Sequence, residues 1–320
     1  MKRPFSFRDV WLFILGAMLL AACDQKHLVM PEEGVPVLFI KYDWEKAPGA
    51  DPEGATLIFF PTDDPEKEIW RFDLAGKAGG KIELPYGTYD ILTVNNDLPN
   101  IDFINQTSFS QFGAKAVADG TTLPNGEQVT FPTGMLYSVA MRNVSHSRMG
   151  ISINGSPVNT DLRQTLILYP DSLSTRYELK VGPITVPPTL KKMSVWIGGT
   201  GDFMTISDGK SEGVTAVPFE NLVLQEGNIL TGACTGFGGS NGTTKKYNLT
   251  FRFQDDYGRT FYKRIDITGI VVNSKWNHCV YIDIGDIDFS DTIGSNTDFG
   301  NPIGVDGWEN IDIDHEIYFP

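Results

Sequence analysis

Cys23 is the residue whose type and setting most clearly imply chemistry. It closes Leu20-Ala21-Ala22-Cys23, which ends an uncharged apolar run from Trp11 to Ala22, itself preceded by Lys2, Arg3 and Arg8. This order is that of a bacterial lipoprotein signal. The leader is basic, the apolar run is too short to span a bilayer as a stable helix, and small residues before the cysteine let a peptidase reach the backbone. The thiol is then expected to accept diacylglycerol and become the new N-terminus. One acyl chain holds a protein only marginally at a membrane, whereas two or more hold it stably. Residues 1–22 therefore read as a signal peptide, and 23–34, with Pro31, Glu32 and Glu33, as a lipidated tether.

The remaining reactive-looking patterns imply no catalytic set. Gly209-Lys210-Ser211-Glu212-Gly213 has nucleophile-elbow spacing, but that motif needs a helix after the serine. Here Val214 to Pro218 reads as a strand, so the segment is expected to be a turn. Lys210-Ser211 also lacks the glycine five residues before the lysine that a phosphate-cradling loop requires. Gly198-Gly199 with Gly201, and Gly236 with Gly238-Gly239, open no helix and suit hairpins. His27, His146, His278 and His315 have no metal-ligand spacing. Asp283, Asp286, Asp288 and Asp291 form an acidic run without the alternating ligands and central glycine of a calcium loop. Asp63-Asp64 and Asp255-Asp256 read as turn carboxylates, the second pair at a hairpin tip. Trp44, Trp70, Trp196, Trp276 and Trp308 have the chemistry to stack on sugar rings, but a tryptophan beside a strand is by default core. No enzyme activity, cofactor or metal is expected.

Cys234 and Cys279 lie in candidate strands. Outside the cytoplasm such a pair can oxidise to a disulfide. The preferred alternative is two free thiols serving as small hydrophobes, because sequence spacing does not fix a Cα distance. The whole chain carries a net charge of −14, and cleavage before Cys23 would remove Lys2, Arg3, Arg8 and Asp9 and leave it more acidic. With no basic stripe, this excludes nucleic acid as a partner and favours solubility.

The elements that position these residues are strands. Period-two alternation recurs and helical periodicity is scarce, so the fold class is all-β. Strands are expected within Val35–Asp43, Ala55–Phe60, Ile69–Asp73, Lys81–Leu84 and Asp90–Val94, with 101–118 the best helical or irregular insertion. From Asn143 to Gln164 the chain is polar and loop-like, which places a boundary between an N-terminal sandwich, 35–163, and a C-terminal one, 164–320. The second set runs through Leu166–Tyr169, Tyr177–Val181, Met193–Ile197, Ala216–Phe219, Ile229–Thr235, Tyr247–Gln254, Thr260–Ile267 and His278–Ile284. The halves share a weak repeat. Each has an alternating opening strand, Val37 to Tyr42 or Arg176 to Val181, then a Pro-containing loop and a short apolar strand. At the end, Ile311, Ile313, Ile317 and Phe319 take one side of an alternating run and Asp312, Asp314, Glu316 and Tyr318 the other. This run is either the last strand of its own sandwich or a donor strand for a neighbour.

Several elements together carry a resemblance. They are Tyr42-Asp43-Trp44, Asp51-Pro52-Glu53-Gly54-Ala55, Phe59-Phe60-Pro61, Phe72-Asp73, Gly79-Gly80, Leu84-Pro85-Tyr86-Gly87-Thr88-Tyr89, Asn95-Asn96-Asp97 and the ending Asp306 to Ile313. The chain resembles a family of Bacteroidales lipoproteins of unassigned function, similar to the fimbrillins, the subunits of type V pili. The resemblance implies two tandem transthyretin-like β-sandwich domains after a lipoprotein signal peptide, a cell-surface location on the outer membrane, and a role in adhesion. It also implies partnership with other fimbrillin-like subunits by β-strand addition. A glycan-binding outer-membrane lipoprotein is the alternative. Polymerising fimbrillins are typically cut by an arginine-specific protease between their first two strands. Here the first arginine after Cys23 is Arg71, beyond both strands, and Lys46 is the basic residue in the expected window. The departure implies an accessory or anchor subunit that keeps its lipid and its first strand.

Overall fold

The computed structural model describes residues 35–64, 66–158, 164–238, 246–272 and 278–290, together with the backbone of Ile317–Tyr318. Among them the regular structure is almost wholly strand, with one short helix, Thr268–Val272. No helix there is long and apolar enough to cross a membrane.

The first strand, Val37–Tyr42, alternates as its sequence demands: Leu38, Ile40 and Tyr42 point inward, and Phe39 and Lys41 outward. It runs antiparallel to Gly79–Glu83 and parallel to Thr165–Leu168, so it is the middle strand of a three-stranded sheet. Across the core lies a larger sheet whose neighbours run Tyr137–Ser147, Gly87–Asn95, Gly54–Pro61 and Trp70–Ala75. Leu38, Ile40, Leu57, Phe59, Ile91 and Leu166, from both sheets, fill the space between.

Two glycines show why the quoted motifs have their form. Gly79 has φ +96°, and a Cβ there would lie 2.3 Å from the Ile40 carbonyl oxygen, so only glycine lets this edge approach the first strand. In Leu84-Pro85-Tyr86-Gly87-Thr88-Tyr89, the Tyr89 ring folds back across Gly87 and its hydroxyl donates to the Pro85 carbonyl at 2.9 Å. Burial, and then the charge of Asp63, push the Tyr89 hydroxyl pKa up to about 12, so it stays a donor throughout the physiological range.

A second core lies between the sheet Glu220–Gln225, Ile229–Phe237, Ser174–Val181, Cys279–Ile284 and one built around Thr260–Asp266, Asn248–Asp255, Leu190–Thr200 and Thr215–Pro218. The weak repeat has a structural counterpart. Ser174–Val181, like Val37–Tyr42, sits between an antiparallel partner and a parallel one, Ile229–Phe237 and Cys279–Ile284.

Three local expectations are corrected. Residues 101–118 contain strands, Ile101–Ile104 and Gly113–Ala116, not a helix. Their Ile101, Phe112 and Ala114 pack on Met204, Ile206 and Phe237 from the second half, so long-range contacts set their conformation. From Asn143 to Ile153 the polar stretch is not a loop but the continuation of Tyr137–Ser147 and its hairpin partner Gly150–Ile153. The alternation is hidden by a register shift between Met141 and Val144, where Asn143 takes a φ of 53°. Thr165–Leu168 does not open the second set but pairs with the first strand.

The halves also exchange structure in the other direction. The hairpin Ala118–Thr122 and Gln128–Thr130 lies against the second core's outer sheet, Gln128–Thr130 pairing parallel with Thr215–Pro218. Leu123, Val129 and Ala216 enclose Trp196, which is 5% exposed. Trp196→Ala is expected to cost about 3–5 kcal/mol, the usual loss for a large buried aromatic. Urea unfolding of both proteins measures it. A loss under about 1 kcal/mol would show that the hairpin does not depend on this side chain.

Candidate functional site

A protein that works by strand addition needs strand edges and something to fill them. The Leu190–Thr200 strand supplies one. Along one side it pairs with Asn248–Asp255 from Leu190 to Gly198. Along the other, Thr215–Pro218 covers it only from Trp196 to Thr200. The chain then leaves this sheet to enter Glu220–Gln225 in the opposite one. Beside Lys192 and Met193 the free edge is taken by Ile317–Tyr318, antiparallel, Met193 opposite Ile317 and Lys192 opposite Tyr318. These two residues of the alternating C-terminal run thus pair within their own chain. Ile311, Ile313 and Phe319 lie outside the described residues.

The first strand is the second relevant element, and the loop after it is folded. The Ala47 amide donates to the Trp44 carbonyl and the Ala50 amide to that of Ala47, and both alanines are buried. Trp44 Nε1 donates to the Lys77 carbonyl at 2.8 Å, and its ring meets Tyr137 edge-on at 5.5 Å. Lys77 pairs with Asp51 at 2.9 Å. Lys46 is exposed within this loop, yet the backbone beside it is pinned to the body. Tyr42 bonds Thr93 at 2.9 Å across the core, and burial, opposed by that bond, pushes its pKa up to about 12.

The other sequence candidates are placed as follows. Cys23 lies outside the described residues. Cys234 and Cys279 are free. Cys234 sits opposite Tyr177 and Cys279 opposite Arg176, on strands flanking Ser174–Val181, so their side chains leave opposite faces of the sheet and cannot meet. Ser211 lies in the Lys210–Glu212 strand, buried, and a strand rather than a helix follows. His146 is buried, with Nε2 3.0 Å from Gln164 Oε1 and its ring 5.0 Å from that of Tyr86. His278 pairs with Asp171 at 3.1 Å. Asp283 pairs with Lys180, and Asp288 accepts from Ser290, whose side chain and backbone hold that carboxyl below the ordinary range. Among the described residues no three His, Cys, Asp or Glu side chains are placed to hold a metal. Trp44 and Trp70 are half-buried, Trp70 stacked on Phe72 at 6.4 Å and Trp44 tilted against Tyr42 at 5.9 Å. Trp276 and Trp308 lie outside the described residues.

Asp255 closes the hairpin tip at Asp255-Asp256-Tyr257-Gly258-Arg259. Its carboxylate accepts from the Tyr257 and Arg259 amides and from Arg259 Nε at 2.7 Å. Burial pushes its pKa up, but these bonds outweigh that and bring it below the usual carboxylate range.

Comparison with known proteins bears on the same elements. A proposed fimbrium anchoring subunit of Bacteroides ovatus, Fim4B, is 21% identical over 128 residues, 40% of this chain and 38% of that one, so only a minor part of that curated relative is spanned. Among solved structures, a proposed adhesin of Bacteroides ovatus superposes with a TM-score of 0.60 at 18% identity, over 80% of this chain and 93% of that one. A protein of Bacteroides thetaiotaomicron described as a proposed polysaccharide-binding protein (DUF1812) gives 0.52 at 10% identity, over 79% and 92%. At such identities the likeness shows the fold. One family model, described as a domain of unknown function (DUF5119), matches residues 22–217. That stretch takes in the first core, the 101–118 insertion and the hairpin on Trp196, and the chain belongs to the DUF5119 family.

Proposed function

We propose that this protein is a lipid-anchored subunit of the outer-membrane surface that acts in adhesion as a fimbrial-accessory, anchor-like component and joins other fimbrillin-like subunits by β-strand addition. The observation that carries this reading is the first strand. It is the middle of its sheet, its inward side chains are buried, and the loop after it is pinned and offers no arginine. A subunit that keeps that strand keeps the tether before it, and so suits the base of an assembly rather than its repeating shaft. The similarity to a proposed fimbrium anchoring subunit supports the same role. The two sandwiches, 35–163 and 164–320, are proposed as transthyretin-like cores that exchange strands.

Deleting residues 308–320 tests the strand-addition step. With the terminal strand seated beside Lys192 and Met193, the truncated monomer is expected to melt several degrees lower, because it uncovers a sheet edge. If the strand instead serves a neighbour, the monomer keeps its melting temperature and co-purification with other fimbrial subunits fails. A truncated protein as stable and as competent in assembly as the full chain overturns the proposal.

A further inference from the structure

The outward face of the sheet Glu220–Gln225, Ile229–Phe237, Ser174–Val181, Cys279–Ile284 is hollowed into an open cavity of about 480 Å³. Register explains the hollow. Antiparallel pairing sets Glu178 beside Ala233, and parallel pairing sets Glu178 beside Tyr281. The long side chains of Ser174–Val181 thus stand between Tyr281 on one side and, on the other, a strand whose outward residue at this level is a single methyl group. The far rim is shaped by an irregularity. Pairing between Glu220–Gln225 and Ile229–Phe237 shifts between Glu220 and Val223, and there Asn221 takes a φ of 50° and lines the cavity. Bulges re-aim side chains and are over-represented beside functional sites. Among the described residues the Asn221 carboxamide has no hydrogen-bond partner.

The charges are closed into two pairs, Arg176 with Glu178 and Lys180 with Asp283, each at 2.9 Å. Paired in this way they present no net charge that would recruit an ion. They still leave N–H donors and carboxylate lone pairs at fixed positions. Beside them Tyr281 is 58% exposed, an aromatic surface with nothing large over it. Its hydrogen bond with Cys279 and the charges of Cys279 and Glu178 raise its hydroxyl pKa, so the phenol remains neutral.

A flat apolar plate next to fixed donors and acceptors of balanced charge suits a ligand with one apolar face and a rim of hydroxyl groups. We infer that this trough binds a neutral oligosaccharide, with one sugar ring stacked on Tyr281 and hydroxyls held by the Arg176–Glu178 pair beside it and, across the width of the sheet, by Asn221 on the far rim. The volume falls in the usual range for small-ligand sites, about 300–1,000 Å³. The site lies on a sheet face, away from the strand edges that serve assembly, and does not depend on the anchoring role.

The test is an array of neutral and anionic oligosaccharides probed with the full chain in detergent micelles. Calorimetric titration of the best neutral binder into wild type, Tyr281→Ala and Tyr281→Phe follows. Tyr281→Ala is expected to weaken binding about tenfold or more, and Tyr281→Phe to stay within about twofold. Both variants should melt as wild type does, since the side chain is largely exposed. Retention of no neutral saccharide, retention of anionic ones only, or equal affinity in Tyr281→Ala would overturn the assignment.

Discussion

A chain that begins at Ala47 is expected to lose the structure of its N-terminal core. The segment removed includes Val37–Tyr42, the middle strand of three, so its loss parts Gly79–Glu83 from Thr165–Leu168 as well. Leu38, Ile40 and Tyr42 are 2%, 4% and 5% exposed. Burying a large, mainly apolar side chain contributes about 1.5–3 kcal/mol. Three such side chains, with the two ladders of hydrogen bonds, rival the whole stability of an ordinary domain, about 5–15 kcal/mol. The second core shares none of these residues. The truncated chain should therefore show a lost near-ultraviolet signal and an early thermal transition, with a residual later one. A peptide of residues 35–46 supplied in trans should restore the early structure by reoccupying the gap. A truncated chain with the full chain's single transition would mean that the first strand is dispensable. Mass spectrometry of protein taken from the cell surface reads the same point in its native setting. A mature N-terminus near Ala47 would remove the anchor-like role.

The fold was legible where one face of a strand is buried and the other is wet. Val37–Tyr42 and Ser174–Val181 announce themselves because period-two alternation and half-burial are the same fact seen in sequence and in space. Alternation failed as a guide in two circumstances. At Asn143 a bulge breaks the period, so the end of an eleven-residue strand, from Asn143 to Ser147, reads as polar loop. In 101–118 the strands are short and their apolar residues serve a core built with Met204 and Ile206, about a hundred positions away. No local window contains that partner. Thr165–Leu168 illustrates a third limit. Its existence was legible, but parallel pairing with the first strand is a property of topology, which strand pattern alone leaves open.

The site residues divide along the same line. That Cys234 and Cys279 do not pair follows from register, because neighbouring strands and opposite faces decide the matter and spacing in sequence does not. The seat of Ile317–Tyr318 beside Met193 likewise needs the knowledge that Thr215–Pro218 stops short. The trough at Tyr281 left only a faint trace. Arg176, Glu178 and Lys180 alternate, as do Cys279, Tyr281 and Asp283, which marks two outward faces but not that they adjoin each other, nor that the first adjoins Ala233. Tryptophans beside strands are by default core, and the ring that stands open at the trough is of another type. Trp196 is core, and the open ring is a tyrosine.

Cys23→Ala is expected to abolish fatty-acid labelling and to move the protein from the membrane fraction to the soluble one. Each buried methylene of an acyl chain contributes about 0.8 kcal/mol, and two chains together anchor a protein stably. Nothing else identified in the chain replaces that. The net charge of −14 gives no attraction to anionic headgroups, and no described helix can cross a bilayer. The ratio of membrane-bound to soluble protein should fall about a hundredfold or more, a change far larger than any surface substitution produces. Cys234→Ala and Cys279→Ala serve as controls. Cys234 is 2% exposed inside the second core, where burial, with the charge of Glu220, pushes its thiol pKa well up. Cys279 is only partly accessible on the outer face. Both variants should keep the label and the membrane location. If Cys23→Ala still takes up fatty acid, the acyl chain sits on another residue. If it loses the label yet still sediments with membranes, a protein partner holds it there, and the lipid is not what keeps this protein at the membrane.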